Sequence, residues 1–188
     1  MKKTCSILSI LALTAALNAT PAAAAEHGGY AGVMLTRATA SYNGNASVLP
    51  NDSYNLLVGK LGYRYNRNFA VELRGGFGVG DSSNSYGNLS YTSKIDNVFG
   101  VYAIAQAPIA NNFNLYALAG GTHVKESLSG TLGTLSASLS GSDSGFSFGA
   151  GLSYGLSSEQ RITLEYTSFL RGSNYDATGL SLGIESRF

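Results

Sequence analysis

Two histidines, His27 and His123, are the side chains in this sequence whose ordinary pKa lies near neutrality. Glu126 and Ser127 follow His123 closely, and a histidine with a serine and an acid is the set that nucleophilic or general-base chemistry uses. Such a set works only when base, nucleophile and orienting acid converge. On a strand, residues three and four apart do not converge as they would on a helix. The spacing therefore predicts a solvated histidine and no catalytic residue. His27 lies near the N-terminus and is expected to be disordered. Metal chemistry fares no better: two distant histidines, one cysteine (Cys5) and scattered carboxylates match no ligand spacing. No metal and no cofactor is expected. The run "GGFGVG" at Gly75–Gly80 looks like a phosphate loop but lacks the helix such loops open. Its glycines are expected to make room for side chains of neighbouring strands. Asn45-Ala46-Ser47 fits a glycosylation pattern that means little in a bacterium-like export context.

The elements that would hold these residues start with a leader. Lys2 and Lys3 precede an apolar run from Ile7 to Leu17, and Ala23-Ala24-Ala25 fits a small-residue cleavage site before Glu26. That is the pattern of a secretory signal peptide over residues 1–25, leaving a domain at 26–188. The apolar run is too short for a spanning helix, which needs about 20 residues. Cys5 would leave with the leader, so the exported domain cannot rely on disulfides. Removal of Lys2 and Lys3 leaves ten basic against eleven acidic residues, which gives no basic patch for nucleic acid.

Charged residues make up only 12% of the chain, beside 24 Gly, 12 Tyr and no Trp. A soluble domain carries about 25% charge. No later stretch is apolar for about 18 residues, so helical spanning is not the explanation. Alternation is. In "FSFGAGLSYGL", Phe146, Phe148, Ala150, Leu152, Tyr154 and Leu156 share one face, and the other carries only Ser147, Gly149, Gly151, Ser153 and Gly155. That is a strand with two unlike faces. Seven further segments read the same way: Tyr30–Ala40, Tyr54–Tyr65, Phe69–Val79, Lys94–Ala107, Phe113–Lys125, Arg161–Leu170 and Thr178–Phe188. The facing of 113–125 stays open, because both of its faces are apolar.

The connections alternate in length. Asn66–Asn68, Pro108–Asn112 and Ser157–Gln160 are short turns, whereas Ser41–Ser53, Gly80–Ser93, Glu126–Gly145 and Arg171–Ala177 are long. In an up-and-down sheet this puts every short turn at one end. The long stretch at Glu126–Gly145, with leucines at 128, 132, 135 and 139, is expected to be a mixture of a Ser/Gly linker and a hairpin extending its flanking strands.

Charges on the strands share one face: Lys60, Arg64, Glu72, Arg74, Asp96, Glu165, Glu185 and Arg187. Toward lipid, each Arg or Lys would cost about 2–4 kcal/mol near the midplane. Inside a narrow barrel, four cations and four anions could neutralise one another through salt bridges across the lumen. Tyr63, Tyr65, Phe69, Phe113 and Phe188 gather near the short-turn end, as an interfacial aromatic girdle would. A soluble lipocalin-type barrel would face its apolar side inward and want charge outside.

"LGYRYNRNFAVELRGGFG", "NFNLYALAGG" and the terminal "LSLGIESRF" resemble the small outer-membrane β-barrels of the OmpA/OmpX and opacity-protein type, over essentially the whole exported chain. The resemblance implies an all-β, eight-stranded antiparallel up-and-down transmembrane β-barrel in a Gram-negative outer membrane. It implies lipid and lipopolysaccharide as surroundings, and a last strand (Leu180, Leu182, Ile184, Phe188) read by the barrel-assembly machinery. A monomer with an unknown extracellular ligand on its long loops is expected. Two other readings stay open: a small pore for ions or hydrophobic solutes, and, more remotely, a lipid A-modifying enzyme using His123.

Overall fold

The computed structural model describes residues 27–42, 52–80, 82–86, 89–132, 135–171 and 175–188. The expected signal peptide with Cys5, the Asn45 motif and most of Ser41–Ser53 lie outside the described residues. The described chain forms nine strands: β1 (Gly28–Tyr42), β2 (Asp52–Arg64), β3 (Phe69–Gly78), β4 (Ser82–Tyr86), β5 (Leu89–Pro108), β6 (Phe113–Leu132), β7 (Leu135–Gly155), β8 (Gln160–Arg171) and β9 (Tyr175–Arg187). All pairings are antiparallel. β3 and β4 both pair with β5 and act as two segments of one stave. The stave breaks around Gly80, whose φ of 98° suits glycine. β1 pairs with β2 on one side and β9 on the other, with Tyr30 opposite Arg187. The sheet is thereby closed into an eight-stranded antiparallel barrel, with β4 and the outer part of β7 paired on one side each beyond the closed ring.

The two faces of each strand meet different surroundings. Leu61, Leu73, Phe77, Leu152, Leu164, Leu180 and Leu182 point outward and are each more than 40% exposed. A belt of this extent far exceeds the apolar patch that a soluble monomer carries. On β3 it runs from Phe69 to Val79, which at about 3.3 Å per residue and a tilt near 40° is about 25 Å tall. Arg37, Asn97, His123 and Ser144 are outward polar residues where the belt ends. At the short-turn end the belt closes on Tyr63, Tyr65, Phe69, Phe113 and Phe188, all exposed. Tyr63 and Tyr65 meet edge-on with centroids 5.3 Å apart, and Phe113 lies 4.8 Å from Tyr154.

The inner face answers the open question about β6. Tyr116, Leu118, Thr122 and Val124 point in, while Phe113, Leu115, Ala117, Ala119 and His123 point out. Its register explains the choice. Tyr116 stands opposite Gly151, as Tyr102 stands opposite Gly120 and Tyr30 opposite Gly62. A Cβ at Gly62 or Gly151 would overlap the tyrosine ring lying over it, and at Gly120 it would run first into the Val101 carbonyl. Facing β6 the other way would leave Tyr116 without that space.

Gly76 and Gly78 admit a neighbouring strand in the same way, since a Cβ would meet Leu57 O at 2.6 Å and Ile95 O at 2.5 Å. Gly75 and Gly80 face open space, so the expectation that the glycines of "GGFGVG" make room for neighbouring strands is corrected at those two.

The long connections are corrected too. Glu126–Gly145 is largely ladder: β6 and β7 pair continuously from Phe113↔Tyr154 to Leu132↔Leu135, with Leu128 opposite Leu139. The hairpin part of the expected mixture therefore holds, and the linker part is corrected. β4 with the start of β5 turns much of Gly80–Ser93 into ladder as well. Thr and Ser alternating with Leu extend a strand readily once every backbone group is paired. The asymmetry of the barrel is thus one of hairpin height more than of loop length.

Candidate functional site: the barrel interior and its rims

Inward-facing charge is concentrated toward the short-turn end. Arg74 Nε donates to Glu72 Oε1 at 2.6 Å, and its Nη1 and Nη2 clasp Glu165 at 2.5 and 2.8 Å. Arg74 belongs to β3 and Glu165 to β8, which stand four staves apart in a ring of eight. This bidentate pair therefore spans the full diameter of the lumen. Tyr116 Oη and Thr167 Oγ1 complete Glu165 at 3.1 and 2.7 Å, and Tyr30 Oη donates to Glu72 at 2.7 Å. Nearer the rim, Glu185 accepts Lys60 Nζ at 2.8 Å and Arg64 Nη2 at 2.5 Å. Both of these arginines also stack on rings, Arg64 over Tyr30 at 4.4 Å and Arg74 over Tyr102 at 4.6 Å.

Above the charges comes a layer of hydroxyls. Thr36 bonds Ser181 at 2.8 Å, Tyr102 Oη bonds Thr122 at 2.5 Å, and Ser147 bonds Thr122 and the Phe169 carbonyl. Above these, Met34, Ala38, Tyr54, Leu56, Val58, Ile95, Val98, Val124 and Phe169 form an apolar cap toward the hairpin end. A solute entering from that end meets hydrocarbon first, hydroxyls next and ion pairs last.

Of the eight residues expected to share the lumen, six lie in this network: Lys60, Arg64, Glu72, Arg74, Glu165 and Glu185. Arg187 shares their face but sits half-buried at the rim, with its backbone N–H on Glu159 O. Asp96 does not join them. The register of β5 shifts between Ile95 and Asn97, and Asp96 instead accepts Ser127 Oγ at 2.6 Å near the hairpin end. A bulge turns the side chain away from the alternation that period two assumes. The interior also holds Arg161, which stands opposite Glu185 in the β8–β9 register. Parity with Thr163 and Glu165 was the signal that could have found it. Tyr30, Tyr102 and Tyr116 were missed because their role depends on which glycine each faces, and single-strand parity does not give register.

The rims carry the two histidines. His27 is placed, with Nδ1 donating to the Tyr65 carbonyl at 2.6 Å, so the expectation of disorder is corrected. His123 faces outward and is exposed; its ring nitrogen lies 2.7 Å from Ser144 Oγ across the β6–β7 ladder. Ser127 donates to Asp96 and does not reach His123. Among the described residues no carboxylate is hydrogen-bonded to His123, and no group of three His, Cys, Asp or Glu side chains could hold a metal ion. At the seam, Phe188 N–H donates to Gly29 O at 3.0 Å, and a Cβ at Gly29 would lie 2.6 Å from the Phe188 ring.

Comparison with known structures gives the same architecture. The Ail attachment invasion locus protein of Yersinia pestis superposes with a TM-score of 0.64 at 19% identity, over 87% of this chain and 100% of that one. Neisserial surface protein A gives 0.55 at 20% identity, over 86% and 97%. A major outer membrane protein of Thermus thermophilus gives 0.53 at 11% identity, over 84% and 99%. No curated protein matches by sequence. A family model described as an outer membrane protein beta-barrel domain matches residues 9–188, starting inside the expected leader. That match takes in every strand described above, and the chain belongs to this family of outer-membrane β-barrels of Gram-negative bacteria.

Proposed function

We propose that the chain is a sealed barrel that carries a surface for interaction outside the cell and is neither a pore nor an enzyme. One observation carries this reading: Arg74 and Glu165 join opposite walls, with Glu72, Tyr116 and Thr167 locking the pair. An eight-stranded barrel is only just wide enough for its own side chains. With short turns on the periplasmic side, the β6–β7 hairpin is the part aimed outward. From His123 to Leu132 it extends about 30 Å of strand beyond the belt at about 3.3 Å per residue.

The interaction surface is mixed in charge. Lys94 and Lys125 stand among Asp96, Glu126 and Asp143. Ail has been crystallised with the heparin analogue sucrose octasulfate. The rim here does not favour such a polyanion. Lipid and lipopolysaccharide wet the outward belt, and a monomer is the simplest state that exposes all of it to lipid. Residues 1–25 direct export, and Leu180, Leu182, Ile184 and Phe188 present the closing strand to the assembly machinery.

The test is conductance in planar bilayers. The refolded protein is expected to give no stepwise current. Stable steps whose size changes on Lys60 or Glu72 substitution would replace the sealed barrel with a channel.

A further inference from the structure

The apolar cap at the hairpin end of the lumen is not filled by its own side chains. On β1 and β9, Ala38 stands opposite Gly179 and Ala40 opposite Ala177, so this part of the wall offers nothing larger than a methyl group. Phe169 lies over Gly179, where a Cβ would come within 2.6 Å of its ring. The bulkier Tyr54, Leu56, Ile95, Val98 and Val124 come from β2, β5 and β6. Together these residues leave a pocket of about 430 Å³, open mouth included. Leu56, Val98, Val124 and Phe169 are buried at its base, whereas Ala40, Glu126 and Ala177 are half-buried or exposed and mark its mouth.

The chemistry of the lining selects what can enter. Besides Thr39 and Glu126, Tyr54 supplies the polar side chain among the described residues of the wall, and its Oη is bonded to Ser93 Oγ at 2.8 Å. A buried water needs two to four polar partners and finds few here. Glu126 is the one charged residue among the described residues of the lining, so an anionic solute would meet a like charge at the mouth. Apolar cavities of about 150 Å³ stay dry and take up benzene. Hydrocarbon walls around a void forfeit contacts that an apolar occupant restores.

We propose that this pocket is a binding site for one small uncharged hydrocarbon solute, a single aromatic ring or a short alkyl chain, entering from the hairpin end. The site binds and does not conduct. Below it the hydroxyls of Thr36, Ser181, Thr122 and Ser147, and then the Arg74–Glu165 pair, close the lumen. It goes beyond the interaction surface on the hairpin and does not depend on a protein partner there.

The experiment uses the folded wild-type barrel in lipid nanodiscs, with labelled isoleucine and valine methyl groups, titrated with toluene. The methyl signals of Ile95, Val98 and Val124 are expected to shift along a saturating curve. Val71 and Val101 point outward, report toluene dissolved in lipid, and should shift in simple proportion to its concentration. Inward signals that only follow Val71 and Val101, with no plateau, would overturn the proposal. Ala40→Leu and Ala177→Leu lie at half-buried positions packed against the apolar cluster, and each fills part of the mouth. Either should raise the half-saturating toluene concentration about tenfold or more, since the added atoms overlap the occupant. The heat-modifiable gel shift should stay as in wild type. A half-saturation point unchanged in both variants would also overturn the proposal. Wild-type crystals under xenon pressure give an independent reading. A xenon peak against Leu56, Val98 and Val124 is expected, and an ordered water in that place with no xenon would contradict the site.

Discussion

Replacing Arg74 by methionine removes four interactions at one stroke while roughly keeping the volume of the side chain. Among the described residues Glu72 keeps Tyr30 Oη, and Glu165 keeps Tyr116 Oη and Thr167 Oγ1. Removing one partner of a buried ion pair costs about 3–5 kcal/mol, because the other charge stays behind. Loss of the stack over Tyr102 adds up to about 1 kcal/mol. The expected destabilisation of Arg74→Met is therefore about 4–5 kcal/mol, roughly a thousandfold in the folded-to-unfolded ratio. The chain has no Trp, so urea unfolding in phospholipid vesicles is followed by circular dichroism and by gel mobility of unboiled samples. Adding Glu165→Gln to Arg74→Met should recover about 2 kcal/mol, since one orphaned charge is gone. A cost below about 1 kcal/mol for the single change, or additive costs for the pair, would refute a lumen held together by this network.

Other changes separate the parts of the account. Gly62→Ala drives a methyl into the Tyr30 ring and should cost about 1–3 kcal/mol in the same assay, whereas Gly75→Ala, which faces open space, should cost well under that. Ile184→Lys or deletion of Phe188 should lower the amount of heat-modifiable barrel in the outer membrane, since both alter the strand that closes on β1. Equal levels for these variants and wild type would make the ending incidental. Shortening the β6–β7 hairpin by removing residues 128–139 should leave assembly intact, because that ladder stands beyond the belt. His123→Ala should leave the mass of extracted lipopolysaccharide unchanged; a mass shift lost in this variant would bring the enzyme reading back.

Much of the barrel was legible because lipid and lumen impose opposite demands on alternate residues. Phe146 to Leu156 shows this without ambiguity, and the short turns at 66–68, 108–112 and 157–160 fixed the strand count. The legibility ended wherever parity alone does not decide. At Asp96 a bulge broke the alternation, and the residue moved from the expected lumen set to Ser127. On β6 both faces were apolar, and only the Tyr116↔Gly151 register made one of them the inside. Glu126–Gly145 looked like a linker by composition, but composition is silent about a ladder whose two arms pair with each other. Arg161 was readable by parity and shifts the interior from charge balance to a cationic excess.

The central claim is that outward residues meet lipid while inward residues sit in a closed interior. Cys5 lies in the expected leader, so single cysteines at Leu73, Ser147 and Ser142 would report on the belt, the lumen and the hairpin. Leu73 is outward and 46% exposed, Ser147 is fully buried, and Ser142 is exposed. Intact cells are treated with a membrane-impermeant maleimide, and the fraction modified is read by mass. The account predicts rapid labelling of Ser142→Cys alone, with the other two reacting only after unfolding. Labelling of Ser147→Cys at a comparable rate would show an open lumen, and labelling of Leu73→Cys would show that the apolar belt faces water.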